Sequence, residues 1–270
     1  MQVRKLSVRA AACAAGLATT LALGAVGQAT AAPAPASAPA DTPAYTAAAH
    51  STAGAVGTTA ASPKKTGAQP IIGGRETQAQ PYHARVLQNG QGICTATLVS
   101  ARHILTAKHC VDRSAQYTFR IGSTYASSGG TMAAAARVTL HPSADLAMVR
   151  LDRDVTLTPA KIASTYPQTG TNVSVYGWGA TCRDNESTCQ SPVLKTAAMR
   201  MTGLTTDHYG GTAIALQGVD GVAAGGDSGG PAMVGGTVVG VASTSDRQSR
   251  SNYTATAAYT NWIQSAASNG

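Results

Sequence analysis

The sequence predicts an all-β protein, a sandwich or a barrel, on two observations. From residue 71 onward, short runs rich in Val, Leu, Ile, Thr and Tyr alternate with clusters of Gly, Pro, Ser and Asn, as in strands joined by turns. Helical periodicity is limited to the end of the chain, at residues 261–267. The clearest predicted strands are 84–87, 95–99, 104–106, 138–140, 147–151, 173–176 and 237–242.

Residues 1–31 have the organisation of a secretory signal peptide. Arg4, Lys5 and Arg9 precede an apolar run over residues 10–26, and small residues follow it. The run is shorter than the roughly 20 apolar residues of a membrane helix. We therefore expect a protein that is exported, remains outside the cell and has no membrane partner.

Residues 32–70 are predicted to form a propeptide or a flexible spacer. They consist mainly of Ala, Pro, Thr, Ser and Gly, with almost no bulky apolar side chains that could form a core. The composition changes at Ile71, and the 200 residues from there to the end are ample for one or two compact domains.

The charge of the chain gives little support to nucleic-acid binding. The whole chain carries +8, but five of its 20 Lys and Arg and one of its 12 acidic residues precede residue 71, which leaves 15 − 11 = +4. The remaining basic residues are scattered singly, as on a solvated surface. We expect no nucleic-acid partner.

The cysteines predict two disulfides. Cys13 lies in the signal peptide, so the exported chain retains four cysteines, an even number that favours a disulfide framework outside the cell. Four cysteines allow three pairings, of which neighbours in sequence are the simplest. A zinc site is the competing interpretation, but the cysteine spacings fit no zinc-finger or zinc-ribbon pattern.

A glycine-rich segment around Ser228 is suited to an exposed nucleophile. Glycines flank this serine over residues 225–230, and they permit backbone conformations and close approaches that a Cβ would prevent. A serine hydroxyl is a weak nucleophile, so it requires a base and a group that orients the base. His109, beside a cysteine, and Asp145, at the head of an apolar strand, are the candidates.

Five segments together resemble the trypsin-like serine proteases, and the Ala-rich export signal and short loops resemble those of secreted actinobacterial members of that family. The five segments are Ile-Ile-Gly-Gly at 71–74, Thr-Ala-Lys-His-Cys at 106–110, Asp-Leu-Ala-Met at 145–148, Gly-Trp-Gly at 177–179 and Gly-Asp-Ser-Gly-Gly-Pro at 226–231. The resemblance covers residues 71–270. It implies one protease domain of two six-stranded antiparallel β-barrels with a short C-terminal helix and the site in the crevice between the barrels.

The resemblance implies a role for each polar residue named above. Ser228 would attack the scissile carbonyl, His109 would transfer the proton and Asp145 would orient His109. The backbone N–H groups of Gly226 and Ser228 would form the oxyanion hole.

The resemblance also implies activation by cleavage. Asp227 would pair with the free amino group of Ile71 once the precursor is cut there. Pro70 precedes Ile71, so an activator that cuts after Lys or Arg is not suited to this bond. Lys64 and Lys65 offer a basic site upstream that would need trimming. The alternative is a mature start at another residue.

The same comparison implies the disulfide pairing. Cys94 and Cys110 match the family's bridge between the histidine loop and its neighbouring strand. Cys182 and Cys189 are predicted to close a small surface loop, with no catalytic reason for this second bridge.

The residues predicted to bind substrate depart from those of trypsin. Val222 stands where trypsin has an Asp at the floor of its specificity pocket, and Ser245 and Ser251 stand where glycines are usual. Ser243 is the fourth predicted substrate-binding residue. This set predicts cleavage after small or medium neutral residues.

A preference for Lys and Arg is the alternative. Ala224 replaces a cysteine that usually bridges the pocket wall. Without that bridge the alignment could shift by two residues and bring Asp220 to the floor.

The leading interpretation is a secreted serine endopeptidase that acts as a monomer on protein or peptide substrates and is open to protein protease inhibitors. We expect no cofactor, and no metal, because no acidic residue lies between Asp112 and Asp145 to ligate calcium. The rival is a catalytically silent relative that serves as a binding protein. A cell-wall structural protein fits only the Ala- and Pro-rich start.

Overall fold

The computed structural model describes residues 71–268. The predicted signal peptide, 1–31, and the predicted propeptide or spacer, 32–70, lie outside the described residues. All described residues belong to one compact unit. Within this described part, no helix has the length and apolar character needed to cross a membrane.

The described residues form fourteen β-strands, one α-helix and two short 3₁₀ turns, Lys108–Cys110 and Thr256–Tyr259. The helix, α1, spans Thr260–Ser268. The strands are β1 (Arg75–Glu76), β2 (His83–Gln88), β3 (Gln91–Ser100), β4 (His103–Thr106), β5 (Tyr117–Ile121), β6 (Thr131–Leu140), β7 (Ala147–Leu151), β8 (Lys161–Ile162), β9 (Asn172–Gly177), β10 (Lys195–Thr206), β11 (Thr212–Gly218), β12 (Pro231–Val234), β13 (Thr237–Ser245) and β14 (Arg250–Ala255).

Strands β2 to β7 close into the first barrel, in the order β2, β3, β4, β7, β6, β5. Neighbouring strands in the ring are antiparallel. In β5, the buried side chains of Tyr117, Phe119 and Ile121 alternate with the half-buried Thr118 and Arg120. This period of two supplies one face of the strand to the core. The chain's single phenylalanine, Phe119, is fully buried there.

Strands β9 to β14 close into the second barrel, in the order β10, β11, β14, β13, β12, β9, with β9 pairing back to β10. Strand β1 pairs with β10 and β8 pairs with β13, both outside the ring. Tyr253 is the largest aromatic side chain in this barrel's core and is 1% exposed. A Cβ on Gly240 of the adjacent strand β13 would lie 2.8 Å from the Cβ of Tyr253, so the absence of a side chain there permits this close approach.

The two barrels confirm the predicted all-β fold of two six-stranded antiparallel barrels with a short C-terminal helix. Each of the seven predicted runs lies inside a strand, and the run 147–151 coincides with β7. The predicted helix at 261–267 lies within α1, where Ile263 is buried. The Trp262 ring packs edge-on against the ring of His141, with 5.0 Å between centroids.

Both disulfides join cysteines that are neighbours in sequence. Cys94 of β3 bonds to Cys110, which ends the first 3₁₀ turn, and Cys182 bonds to Cys189 in the connection between β9 and β10. The first bridge closes a loop with a sequence separation of 16, a length for which chain entropy gives a stabilisation of about 3 kcal/mol. It fixes the 3₁₀ turn to the adjacent strand.

Candidate active site

The pairing of β4 with β7 brings His109 and Asp145 to the same end of the first barrel. Thr106 lies opposite Ala147 in this antiparallel pair, so the residues after Thr106 and those before Ala147 leave the sheet at one edge. His109 lies in the turn Lys108–Cys110, called here the histidine turn. Its Nδ1 lies 2.7 Å from Asp145 Oδ2, and its backbone N–H donates to Asp145 Oδ1 at 3.1 Å.

The carboxylate of Asp145 is fully buried and accepts hydrogen bonds from His109 and Ser243. Burial raises the pKa of Asp145, but the hydrogen bonds and charge of His109, with the hydrogen bond from Ser243, outweigh burial and lower this pKa below its ordinary value. An ionised carboxylate can only accept, so the proton in the contact belongs to Nδ1. Nε2 is then the ring nitrogen that remains for a second group.

The second barrel contributes two residues that hold Asp145. The hydroxyl of Ser243 donates to Asp145 Oδ2 at 2.6 Å. Asp207 Oδ2 accepts the backbone N–H of Asp145 at 2.8 Å and the hydroxyl of Thr254 at 2.9 Å. The other oxygen of Asp207 accepts two N–H groups of its own hairpin turn between β10 and β11. The side chain and the backbone of Asp145 are therefore both fixed across the junction of the barrels.

Ser228 lies on a turn of the second barrel that packs against the first. Gly226 and Gly229 on either side have φ of +98° and +78°, which favours glycine. A Cβ on Gly229 would collide with the Thr95 carbonyl and the Thr106 hydroxyl. The N–H of Thr95 donates to the Ser228 carbonyl at 2.8 Å. These contacts hold the turn beside the end of β4, which leads into the histidine turn.

The structure thus brings Ser228 to the edge of the first barrel that carries His109 and Asp145. Within residues 71–268, no hydrogen bond joins the Ser228 hydroxyl to the imidazole of His109. Such bonds are often long without substrate and shorten in the reacting complex.

The backbone N–H groups of Gly226 and Ser228, on this turn, have no acceptor among the described residues. The N–H between them, that of Asp227, donates instead to the Ala224 carbonyl at 3.0 Å. The hydroxyl of Thr95 donates to the Gly226 carbonyl at 2.9 Å and fixes the orientation of that peptide. Two free N–H groups on one turn can stabilise a negative charge on an oxygen atom.

The carboxylate of Asp227 is enclosed by backbone. It accepts the N–H of Gly179 at 2.7 Å and the N–H of Ala224 at 2.9 Å. A Cβ on Gly177 or Gly179 would collide with it. Burial raises the pKa of Asp227 to about 7, against the opposing influence of the two N–H donors and of the charge on Arg85. Asp227 is therefore a buried acid that lacks a close positive partner among the described residues.

Ile71, the residue predicted to pair with Asp227, is 1% exposed and shares a hydrophobic cluster with Val222 and Ala223. Ile72 forms an isolated antiparallel bridge with Val222. The φ of Ile71 is +36°, a value that strains a β-branched residue. The segment that begins at Ile71 therefore runs beside the segment that leads to Asp227.

Two buried charged residues, Asp207 and Arg85, also hold segments around the candidate site, and neither of them was identified from the sequence. Arg85 of β2 is 3% exposed and donates to the Trp178 carbonyl at 2.7 Å and to the Gln190 side-chain oxygen at 3.1 Å. Burial lowers the pKa of Arg85 to about 10, while the charge of Asp227 acts in the opposite direction. Asp207 opens a turn rich in glycine, where an Asp that binds its own backbone is common. Nothing in the sequence near Asp207 indicates its contact with Asp145, which lies 62 positions away.

A cavity of about 30 Å³ opens beside Ser228. Of the predicted substrate-binding residues, Ser243 and Ser245 line it and Val222 and Ser251 do not. Val222 is 2% exposed and pairs with the chain start, and Ser251 is 1% exposed. The lining residues are Ala223, Ala224, Ser228, Ala242, Ser243, Thr244, Ser245 and Arg247.

Asp220, the alternative floor residue, lies away from this cavity. Its side chain is 42% exposed and forms an ion pair with Arg75 at 3.0 Å. Its other oxygen accepts the N–H of Ala198 at 2.6 Å. Asp220 lines a separate, open depression at the surface together with Val222.

One group of side chains in the described residues has the composition of a metal site: Cys94, His109 and Cys110. Both sulfur atoms belong to the disulfide, so neither is available as a thiolate ligand. The group offers a single imidazole.

The buried carboxyl of Asp227 predicts a pH dependence of stability in the unprocessed chain. Because its pKa rises from 3.8 to about 7 on folding, the folded state holds this proton more tightly than the unfolded state, so stability falls as pH rises from about 4 to about 7. Roughly three pKa units correspond to on the order of 4 kcal/mol. Urea unfolding of the native chain and of Asp227→Asn across this range should show a difference in unfolding free energy that changes with pH; a constant difference would contradict this role of burial.

Residues 71–263 match the family model described as Trypsin. Trypsin alpha of Drosophila erecta is 29% identical over 205 residues, which cover 68% of this chain and 80% of that protein. Achelase-1 of Lonomia achelous is 34% identical over 128 residues, 41% of this chain and 60% of that protein. The solved structure of the scabies mite inactivated protease paralogue S-D1 shares the fold, with a TM-score of 0.65 and 22% identity over 73% of this chain and 97% of that one. The chain belongs to the trypsin family of serine proteases.

Proposed function

We propose that this chain is a secreted serine endopeptidase that hydrolyses peptide bonds through an acyl-enzyme. The observation that carries the proposal is the 2.7 Å contact between His109 Nδ1 and the buried carboxylate of Asp145. It leaves Nε2 as the proton acceptor, on the edge of the barrel where the Ser228 turn packs. The free N–H groups of Gly226 and Ser228 support the same assignment.

In this mechanism Ser228 Oγ adds to the carbonyl carbon of the scissile bond while His109 Nε2 takes the hydroxyl proton. The carbonyl oxygen becomes an oxyanion that accepts hydrogen bonds from Gly226 and Ser228, and one such donor is worth roughly 3 kcal/mol. The C–N bond then breaks, and His109 passes its proton to the departing amine. Water repeats the same steps on the ester, which releases the acid and restores Ser228.

The ionised carboxylate of Asp145 stabilises the imidazolium that forms in each of these steps. Ser243 and Asp207 hold that carboxylate and its backbone in place, so both barrels contribute to the orientation of His109. We assign Ser243 and Asp207 as positioning residues.

The rival function is a binding protein without activity, and the fold alone does not distinguish the two. A mite paralogue described as inactivated shares this fold. The presence of serine, histidine and aspartate on adjoining edges, with two unpaired N–H donors, favours the enzyme. A substitution of the serine, the histidine or the aspartate would favour the binding protein. Ser228, His109 and Asp145 are all present among the described residues.

The cavity beside Ser228 supports cleavage after small neutral residues. The cavity is small, with a volume of about 30 Å³. Alanine and serine residues form most of its lining, together with Thr244 and Arg247, and the hydroxyl of Ser245 donates to the Ala223 carbonyl. The Lys and Arg alternative required Asp220 at the floor, and Asp220 is paired with Arg75 at the surface.

Activation by cleavage before Ile71 is also part of the proposal. The segment from Ile71 lies in the cluster that leads to Asp227, and the buried acid lacks a close cation. A new ammonium group at Ile71 would supply that charge and relieve the strained φ of this residue. The unprocessed chain would then be the less active form.

The proposed setting is extracellular. An N-terminal signal sequence and two disulfides are typical of exported proteins. The resemblance to secreted actinobacterial proteases suggests extracellular protein breakdown by a monomer that protein inhibitors can block.

A fluorophosphonate probe followed by peptide mapping tests the activity. We expect one label, on Ser228, which is absent in Ser228→Ala and in His109→Ala because the first lacks the nucleophile and the second lacks the base. Asp145→Asn should retain the fold and lose about 10⁴-fold in kcat, as is typical of this change in Ser-His-Asp sites.

Ser164→Ala is the matched control, since Ser164 is an exposed serine that does not line the cavity beside Ser228. It should label like the native chain. Absence of label in the processed, folded protein would favour the binding protein over the enzyme.

Peptides that differ only in the residue before the cleaved bond test the substrate preference. With Ala, Leu, Phe, Lys and Arg at that position, kcat/KM should be highest for Ala and at least about 10-fold lower for Phe, Lys and Arg, because the cavity has no room for them. A dominant rate for Lys or Arg would overturn the proposed preference.

N-terminal sequencing of the exported protein tests activation. The active form should begin at Ile71, and Asp227→Asn should depress the kcat of that form. Full activity in a chain that begins elsewhere would count against the pairing of Ile71 with Asp227.

A further inference from the structure

The loop closed by the second disulfide, Cys182–Cys189, lies against the cavity beside Ser228. Glu186, on this loop, accepts hydrogen bonds from Arg247 at 2.8 Å (Nε) and 3.4 Å (Nη2). Arg247 is one of the residues that line the cavity. The ion pair therefore joins the disulfide loop to the wall of the cavity, across 61 positions of sequence.

Arg247 is held in a strained conformation by several further contacts. Its φ is +56°, which a residue with a Cβ rarely adopts. Its Nη1 donates to the Ser245 carbonyl at 2.8 Å, and its N–H donates to the Ser245 hydroxyl at 3.0 Å. Arg183, also on the disulfide loop, donates to the Arg247 carbonyl at 2.7 Å. Residues held in this region of backbone conformation by surrounding contacts cluster at active sites and ligand clamps.

The same loop also contacts the segment that leads into the Ser228 turn. A Cβ on Gly225 would collide with the Glu186 carboxylate, so the two are in close contact. Gln190, directly after the loop, donates from its side chain to the Gly225 carbonyl at 2.8 Å and to the Glu186 carbonyl at 2.9 Å. Gln190 is in turn held by the buried Arg85. Glu186 thus lies between Gly225, which directly follows the lining residue Ala224, and Arg247, which itself lines the cavity.

We propose that the Glu186–Arg247 pair determines specificity: it ties the two walls of the cavity together through the disulfide loop and excludes all but the smallest substrate side chains. This inference rests on the proposed peptidase function and names the residues that restrict it. The pair is not needed for the fold, since partly exposed ion pairs contribute little to stability. The side chains of Arg247 and Glu186 are 45% and 24% exposed.

The test compares kcat/KM for peptides with Ala, Leu or Phe before the cleaved bond. In Glu186→Gln and Arg247→Gln the Leu-to-Ala and Phe-to-Ala ratios should rise about 10-fold, because the walls separate and admit larger side chains. The charge swap Glu186→Arg with Arg247→Glu should return the ratios towards the native values. Cys182→Ala with Cys189→Ala should widen the preference as the single changes do, because the loop loses its closure.

Asp152→Asn and Arg153→Gln are the matched controls, since Arg153 and Asp152 form an ion pair at 2.7 Å and neither residue lines the cavity. They should leave the ratios unchanged. A uniform loss of activity on all three peptides in the Glu186 and Arg247 variants, with native ratios, would overturn the inference and leave the peptidase function standing. Absence of turnover and of label in the native protein would instead overturn the proposed function.

Discussion

The two barrels form a common site because residues of both barrels hold Asp145, whose carboxylate orients His109. Within the first barrel this carboxylate accepts two hydrogen bonds from His109, and from the second barrel it accepts the hydroxyl of Ser243. Asp207, also of the second barrel, fixes its backbone. A buried charge is costly unless such donors surround it. Any shift between the barrels would therefore remove donors from Asp145 and misorient His109 together, which couples the packing of the barrels to the chemistry of the site.

The wall of the candidate site is built differently from the one that the family resemblance implies. Ala224 replaces a cysteine of the usual bridge, and the structure has instead a disulfide within one short loop and the Glu186–Arg247 contact from that loop to the cavity. A covalent bridge fixes two backbone segments directly, whereas this arrangement fixes them through side chains. The result is a cavity of about 30 Å³ beside the serine. The shape of the cavity then depends on partly exposed polar contacts. Substitution of these residues can change that shape while the hydrophobic cores of the barrels stay intact.

The fold was predictable because short apolar runs bounded by turn residues are local features of the sequence, as in the run that coincides with β7, where four of the five residues are buried. The alternating strand β5 was not among the predicted strands. His109, Asp145 and Ser228 could be named because each lies in a short segment that resembles a known family. Asp207, Arg85 and Glu186 could not, since their partners lie 62, 93 and 61 positions away in sequence. The resemblance implies Val222 from its distance to the serine, but in the structure its backbone pairs with Ile72 and the residue does not line the cavity. The roles of these four residues depend on contacts between segments that are far apart in sequence. Such contacts leave no recognisable pattern in the residues around each position.

A crystal structure of the processed protein with a peptide phosphonate tests the central claim most directly. The account predicts phosphorus bonded to Ser228 Oγ, His109 Nε2 within hydrogen-bonding distance of that oxygen, and a phosphoryl oxygen about 2.7–3.1 Å from the N–H groups of Gly226 and Ser228. Phosphorus on another residue, or a phosphoryl oxygen turned away from both N–H groups, would contradict it.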